Sequence, residues 1–262
     1  MRPNAVRKSL ADGKQVVNGW LAIPSAVSAE TMAHCGFDSI TIDMQHGLVD
    51  YQAAVGMLQA LSTTDVTPMA RVPWNEPGIM MKLLDAGAYG IVCPMINTRE
   101  EAERYVAACR YPPMGARSFG PARASLYGGP DYHQHANDEV LLFAMVETRT
   151  ALDNLDEILA VEGLDGVYIG PSDLSLSLGK PPTLAPEDAE VLAAMQTICD
   201  ATKAKGRFAG VHTDSAKTTR RRFEEGFQFC TILNDVRLMA NAATAAVKEA
   251  RGEGPAEAAK TY

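Results

Sequence analysis

The sequence predicts a single-domain α/β fold, a (β/α)8 TIM barrel, on three observations. Eight short runs of β-branched and apolar residues alternate with longer segments whose apolar residues recur every three or four positions. Such alternation is typical of a parallel sheet with crossover helices. The chain has 262 residues, close to the roughly 250 residues of one barrel. No GxGxxG motif follows the first strand, which argues against an open dinucleotide-binding sheet.

The predicted elements follow one another regularly along the chain. The strands cover residues 16–21, 39–43, 67–72, 90–94, 141–147, 166–170, 208–212 and 229–233. Helical patterns cover residues 28–34, 51–61, 78–84, 99–109 and 151–160. Glycine stands between a helical pattern and the next strand in several repeats, where it accepts the left-handed conformation that ends a helix. This punctuation favours a closed barrel over a doubly wound sheet.

Residues 1–251 are predicted to form the barrel domain. Within it, residues 111–138 are rich in glycine and proline and lack an apolar run of strand length. Long connections of this kind are often functional, so we expect a long fourth βα loop over the barrel mouth. The last residues, 252–262, are low in complexity and predict a disordered tail.

Charge and composition restrict the partners. The net charge of −8 disfavours nucleic acid, which is bound through clustered Lys and Arg. No run of about 18 apolar residues and no secretory signal is present, so no membrane role is expected. The five cysteines form no CxxC pair, and a cytoplasmic location is predicted.

Two carboxylates stand at the ends of neighbouring predicted strands. Glu147 ends the fifth strand, and Asp173 follows the sixth, 26 positions further on. In barrels of this kind the reacting groups come from the carboxyl ends of the strands, and neighbouring strands lie about 4.8 Å apart. Carboxylates this close repel each other unless a cation lies between them. The pair therefore predicts a site for Mg²⁺ or Mn²⁺, with zinc less suitable.

Each carboxylate also has a purely structural interpretation. Glu147 precedes the helical segment TRTALDNL, where an acid stabilises the helix dipole. Asp173, in GPSDLS, has the position of a helix N-cap. Taken singly, each structural interpretation is the stronger one. Because the two carboxylates are spaced by one βα repeat, the metal-site interpretation and the structural interpretations are equally favoured.

A second set of polar residues ends the second and third strands. His46 and Arg71 are 25 positions apart, again about one repeat. Asp43 could accept the proton of one imidazole nitrogen of His46 and leave the other nitrogen as a base. Arg71 could bind a carboxylate or a developing enolate oxygen, or form a structural ion pair within the barrel. His212 and Asn234 are weaker candidates at later strand ends.

The sequence resembles the HpcH/HpaI aldolase family, the class II pyruvate-dependent aldolases, from about residue 18 to residue 247. The resemblance rests on several motifs in order: GFDSITIDMQHG (36–47), ARVPWNEP (70–77), LLDAGAYGIVCPMINTREEAE (83–103), YPPMGARSFGPARA (111–124), VETRTALDN (146–154) and GVYIGPSDLSLSLG (166–179). It implies a (β/α)8 barrel and a divalent metal ion, Mg²⁺ or Mn²⁺, with Co²⁺ as a third candidate. It also implies a homohexamer, a trimer of dimers with exchanged C-terminal helices.

The resemblance assigns roles to the polar residues named above. Glu147 and Asp173 match the metal carboxylates of the family. His46 matches the catalytic histidine, and Asp43 matches the acid behind it. Arg71 matches the arginine that stabilises the pyruvate enolate.

The resemblance also implies contacts around the substrate. Asp85 matches an acid that approaches the active site of a neighbouring subunit. Main-chain groups of Ser172 and Asp173 would hold the pyruvate carboxylate, and Trp20 would line the pocket. Two positions depart from the pattern of many members, because Gln45 replaces Glu and Met145 replaces Gln.

The function predicted is a reversible aldol cleavage of 4-hydroxy-2-oxo acids to pyruvate, or a close analogue such as hydroxypyruvate, and an aldehyde. His46 or a bound water would serve as the base. Lys82, Lys203 and Lys205 lie in helical patterns rather than at strand ends, so no Schiff-base lysine is expected. Two alternatives stay open: a citrate-lyase-type enzyme acting on a coenzyme A thioester, and a 2-oxo acid binding protein without turnover.

Overall fold

The computed structural model describes residues 1–253. Eight strands pair in parallel in chain order, and the eighth pairs with the first, which closes the barrel. The predicted fold class is therefore confirmed, and each predicted strand end lies within two residues of the observed one. The strands are β1 (Val16–Leu21), β2 (Ser39–Asp43), β3 (Thr67–Arg71), β4 (Gly90–Cys93), β5 (Leu141–Met145), β6 (Gly166–Ile169), β7 (Phe208–Thr213) and β8 (Phe229–Ile232).

Nine of the thirteen helices described within residues 1–253 begin at a residue whose side chain caps the helix. Thr98 and Glu101 form a reciprocal capping box at the start of α5, and Asp50 accepts a hydrogen bond from the amide of Ala53 at the start of α3. None of the helices within residues 1–253 is both long and apolar enough to cross a bilayer. The helices are α1 (Ala5–Ala11), α2 (Ala26–Ala33), α3 (Tyr51–Leu61), α4 (Pro77–Asp85), α5 (Arg99–Cys109), α6 (Ala122–Gly128), α7 (Tyr132–Glu139), α8 (Arg149–Asp153), α9 (Leu155–Leu159), α10 (Pro171–Ser177), α11 (Ala189–Ala204), α12 (Ala216–Glu224) and α13 (Asp235–Ala250).

The barrel interior is closed at its amino-terminal end by α1. Val6 and Leu10 from this helix are buried in one apolar cluster with Val16, Leu141 and Phe229 at the starts of three strands. A larger cluster fills the space between the barrel and the outer helices. With one end filled by apolar side chains, the carboxyl end is left for polar groups.

The segment of residues 111–138 corrects one prediction. It follows α5 and joins that helix to β5, so it is not a βα loop over the barrel mouth. It contains α6 and α7, and its tyrosines pack on Tyr89, which directly precedes β4 at the amino-terminal end. The glycines and prolines of the segment predict an irregular backbone, but they do not predict at which end of the barrel it lies. Helix α5 returns the chain from the carboxyl end of β4 to the amino-terminal end of the barrel. The segment follows α5 and therefore lies at the amino-terminal end.

A half-buried carboxylate joins several elements at this amino-terminal end. Asp165, directly before β6, accepts hydrogen bonds from Arg7 on α1, from Arg110 at 2.7 Å and from the amide of Leu142 at 2.7 Å. The side chain of Arg110 is only 1% exposed, and its other donors bond the carbonyls of Asn137, Val140 and Gly163. The insertion is therefore bonded to the barrel through a paired buried charge.

We expect Asp165→Ala to lower the free energy of unfolding by about 3–5 kcal/mol, because it leaves the buried guanidinium of Arg110 without its carboxylate. Urea unfolding followed by circular dichroism measures the change. Asp65→Ala is the matched control, since Asp65 pairs with Arg2 at a fully exposed position and exposed pairs contribute little. Equal stability of the two variants would contradict this role for Asp165.

Candidate active site

A cavity of about 300 Å³ opens at the carboxyl ends of the strands. Its lining residues come from several βα repeats and are far apart in the sequence, so no single motif predicts the whole cavity. Most of the predicted site residues meet here, together with residues that were not predicted. The lining consists of Trp20, Asp43, His46, Arg71, Met145, Tyr168, Gly170, Ser172, Asp173, Leu184, His212, Leu233, Asn234 and Arg237.

Asp43 and Arg71 form a two-pronged ion pair at the ends of β2 and β3. The Nε and Nη2 atoms of Arg71 donate to the two carboxylate oxygens at 2.9 and 2.6 Å. Both residues are buried, and the guanidinium lies 4.9 Å from the centre of the Trp20 ring. Burial raises the pKa of Asp43, but the charge and hydrogen bonds of Arg71 outweigh it, so the pKa is lowered overall. The pair therefore stays ionised and rigid.

The same carboxylate shapes the loop that carries His46. Asp43 Oδ1 accepts from the amides of Gln45 at 3.0 Å and His46 at 3.3 Å. It bonds the backbone of His46 rather than the imidazole, so the hypothesis that Asp43 fixes the tautomer of His46 is wrong for this structure. The carboxylate is bound instead by Arg71 from the neighbouring strand and by the two loop amides. The imidazole is left exposed at the cavity rim.

Glu147 is a buried carboxylate beside the cavity. It is 2% exposed, and its Oε1 accepts from the amide of Met95 at 3.0 Å. Its Oε2 is buried and has no hydrogen-bond partner among residues 1–253. Burial, and next the charge of Asp173, raise the pKa of Glu147 to about 7. A buried carboxylate oxygen without a partner is costly, so this oxygen is free to accept a cation or a proton.

Local backbone geometry places both carboxylates. Met95 has φ of 55°, a left-handed conformation that costs a non-glycine residue about 1–3 kcal/mol and turns its amide toward Glu147. Asp173 lies in the first turn of α10, whose intrahelical bonds begin with Leu174 donating to Gly170. The amides of Ser172 and Asp173 precede that bond, where helix amides are open to anions.

These features fit a divalent metal ion. Glu147 offers its unpaired Oε2, and Asp173 supplies a second carboxylate whose charge is felt at Glu147. Residues 1–253 contain no cluster of three or more His, Cys, Asp or Glu that could hold a metal. A two-carboxylate site of oxygen donors leaves the remaining coordination positions to water and substrate, as Mg²⁺ and Mn²⁺ prefer.

An aromatic wall closes the cavity on the side of β1, β6 and β7. Trp20 stacks on Tyr168 at 5.8 Å between ring centroids and meets the edge of His212 at 5.1 Å. The hydroxyl of Tyr168 bonds Nδ1 of His212 and Oγ1 of Thr231. Burial and the charge of Arg71 lower the pKa of His212 to about 3. His212 is therefore a neutral wall residue at physiological pH.

Asp85 is not brought to this cavity within its own chain. It ends α4, which runs from the carboxyl end of β3 back to the amino-terminal end of β4. There its carboxylate accepts from Arg117 at 2.6 Å. A role in a neighbouring subunit's active site stays a prediction.

Sequence reasoning missed several residues of the site. Met95 acts through a backbone amide, which leaves no signal in residue type. Tyr168 and Leu233 lie within predicted strands of mostly apolar residues, and Leu184 lies outside every predicted element. Arg237 carried the one available signal, a basic residue in the first turn of a helix, where acids are favoured.

Comparisons with known proteins agree with this architecture. Residues 18–242 match the HpcH/HpaI aldolase/citrate lyase family. The chain belongs to this family. A hydroxypyruvate/pyruvate aldolase of Rhizorhabdus wittichii is 42% identical over 95% of this chain and 99% of its own length. A 4-hydroxy-2-oxo-heptane-1,7-dioate aldolase of Escherichia coli is 37% identical over 92% of this chain and 93% of its own length.

A solved structure of an HpcH/HpaI aldolase/citrate lyase family protein from Burkholderia cenocepacia covers 95% of this chain and 99% of its own, with a TM-score of 0.89 and 31% identity. The chain is thus an aldolase, an enzyme of the aldehyde-lyase class, as the sequence predicted.

The two departures from the HpcH/HpaI pattern can now be located. Met145 faces the cavity, whereas Gln45 is half-buried, with its Oε1 unbonded among the described residues.

Gly170→Ala tests the placement of the two carboxylates. A Cβ at this position would lie 2.3 Å from Oε2 of Glu147. The methyl group must displace the carboxylate, so we expect the affinity for Mn²⁺ to fall by about 10- to 100-fold. Calorimetric titration of the metal-free protein measures it. Gly56→Ala, where no atom lies within 4 Å of the added Cβ, is the control. Unchanged affinity in Gly170→Ala would contradict the assignment.

Proposed function

We propose that this aldolase cleaves 4-hydroxy-2-oxo acids reversibly to pyruvate, or hydroxypyruvate, and an aldehyde, with a divalent metal ion held by Glu147 and Asp173. The observation that carries the proposal is the buried, unpartnered Oε2 of Glu147, which lies against Gly170 in the wall of the cavity that Asp173 and Arg71 line. The relatives named for hydroxypyruvate/pyruvate and for 4-hydroxy-2-oxo-heptane-1,7-dioate support this substrate class. The ion we propose is Mg²⁺ or Mn²⁺, with Co²⁺ as a third candidate.

In the cleavage direction the 4-hydroxyl proton leaves, the C3–C4 bond breaks, and its electron pair passes toward the C2 carbonyl. An aldehyde and the enolate of pyruvate result, and protonation at C3 gives pyruvate. The bound ion would supply Lewis acidity at the keto oxygen. The amides of Ser172 and Asp173, open at the start of α10, are proposed to hold the carboxylate of the 2-oxo acid.

Arg71 is proposed to stabilise the negative charge that develops on the keto oxygen. Two of its nitrogens are committed to Asp43 and fix the guanidinium plane, and the residue lines the cavity with its remaining donors. A donor that is already oriented requires no reorganisation during the reaction. Asp43 is thus a positioning residue for Arg71, and through its bonds to the loop amides it also positions His46.

His46 is the proposed base for the 4-hydroxyl proton. It stands at the exposed rim of the cavity, where the aldehyde half of a substrate would leave. His212, the other histidine of the lining, bonds Tyr168 in the wall, and its pKa, lowered by burial and by the charge of Arg71, makes it too weakly basic for this step. Trp20 borders the reacting end by packing against both Arg71 and His212.

A Schiff-base mechanism finds no support in the cavity. Among the described residues no lysine lines it. Lys82 lies on α4 with its ammonium group over the ring of Tyr51, and Lys203 lies in the last turn of α11. Borohydride trapping with pyruvate would therefore leave the protein unlabelled.

We propose a homohexamer, a trimer of dimers in which α13 is exchanged between subunits. In α13 only Asp235 is buried, while Met239 is 60% and Val247 47% exposed. Apolar exposure on a 16-residue helix favours coverage by another copy. Light scattering would give the mass of the assembly.

We also propose a cytoplasmic location, which agrees with five cysteines that form no disulfide.

Removal of the metal should abolish the reaction. We expect EDTA to stop pyruvate release from 4-hydroxy-2-oxo acids and Mg²⁺ or Mn²⁺ to restore it. Glu147→Gln should stay inactive with either metal, because it removes one of two carboxylates. Glu190→Gln, at an exposed position of α11, is the control. Cleavage that ignores EDTA would overturn the mechanism. Absence of cleavage would redirect the search to coenzyme A thioesters.

His46→Ala should separate base catalysis from metal binding. We expect kcat for cleavage to fall by about 10²- to 10⁴-fold because the 4-hydroxyl proton loses its acceptor. Calorimetry should show Mn²⁺ binding to this variant, since His46 is assigned no metal contact. Exchange of the pyruvate methyl protons in deuterated water, followed by NMR, distinguishes an enzyme from a mere 2-oxo acid binder. A kcat within threefold of the parent protein would remove His46 from its proposed role.

A further inference from the structure

Arg237 lines the cavity from the first turn of α13, directly after β8. Its position is fixed from both sides. Asp235 accepts from the amides of Ala22 at 2.8 Å and Ile23 at 3.3 Å and from the hydroxyl of Ser28 at 2.8 Å, which fastens the start of α13 to its own barrel. The Arg237 amide donates to the Asn234 side chain at 2.9 Å. These bonds fix the backbone at the start of α13, so Arg237 remains a lining residue of the cavity even if the rest of α13 is exchanged.

The charge of Arg237 is unusual for its place. A cation in the first turn of a helix opposes the helix dipole, an effect of about 0.3–1 kcal/mol. The carboxylate of neighbouring Asp235 is already used by backbone amides and Ser28. Within residues 1–253 the guanidinium of Arg237 forms no ion pair, whereas Arg71 across the cavity is neutralised by Asp43. Arg237 therefore presents an uncompensated positive charge to the cavity.

Its location suits the far end of a substrate. Glu147 and Asp173 follow β5 and β6, whereas Arg237 follows β8, two strands further around the barrel from β6. Leu184 and Leu233 supply apolar lining in the same cavity. A 2-oxo acid held at the carboxylate side would extend its carbon chain past these leucines. An anionic group at the other end would then meet the guanidinium.

We propose that Arg237 is a specificity-determining residue that binds an anionic group, a carboxylate or a phosphate, on the aldehyde half of the substrate. This inference rests on the proposed aldolase function. It assigns the enzyme to acceptor aldehydes that carry a negative charge, in preference to neutral aldehydes of the same length. Arg237 makes no contribution to the breaking of the C–C bond.

Condensation with pyruvate tests the inference with two matched pairs of aldehydes. Succinic semialdehyde is compared with butanal, and glyceraldehyde 3-phosphate with glyceraldehyde. In Arg237→Met we expect the ratio of kcat/KM, anionic over neutral, to fall by about 10- to 100-fold, mainly through KM, because a charge-assisted hydrogen bond is lost. Arg237→Lys should recover part of the ratio. Arg220→Met, an exposed arginine on α12, controls for net charge.

The outcomes are separable. A fall in the first pair alone identifies a carboxylate, a fall in the second pair alone identifies a phosphate, and a fall in both identifies a general anion subsite. Ratios in Arg237→Met equal to those of the parent protein would overturn the inference. Failure of the parent protein to exchange the pyruvate methyl protons in deuterated water would instead overturn the proposed function. Circular dichroism verifies that both Arg237 variants fold.

Discussion

The ion pair between Asp43 and Arg71 is the interaction on which the arrangement of the site depends. It joins the ends of β2 and β3, gives Trp20 a cation to pack against, and bonds the loop amides that carry His46. Burial of a charge pair is favourable only when its remaining hydrogen-bonding capacity is used. Here the carboxylate accepts four hydrogen bonds, so the pair both tolerates burial and fixes its neighbours.

The charged groups in and beside the cavity fall into three sets, which differ in whether an opposite charge pairs with them. Asp43 and Arg71 neutralise each other, whereas Glu147 and Asp173 face each other as like charges, and Arg237 has no counter-ion among the described residues. In the proposed function, the uncompensated groups would bind the two ends of the substrate. Arg71, which Asp43 already orients, would contact the keto oxygen between them.

The fold was largely predictable from the sequence, whereas the site was predictable only in part. Strand ends could be located because each strand is a short apolar run bounded by turn residues. The contacts of Asp43 could not be read from spacing, since Asp43 stands close in sequence to His46 but its carboxylate is bound by Arg71 from the next strand. The amide of Met95 depends on a backbone angle, and the insertion at 111–138 was placed at the wrong end.

Closure of the barrel by β1 and β8 affects the order in which strand pairs can form during folding. Val16 pairs with Phe229, so contacts that close the cylinder join the beginning of the chain to a part synthesised much later. Pairing between such distant segments is slow because the intervening loop must first be ordered. Trp20 meets His212 only when both ends have docked. The side of the cavity formed by Trp20 and His212 is therefore complete only once the barrel has closed.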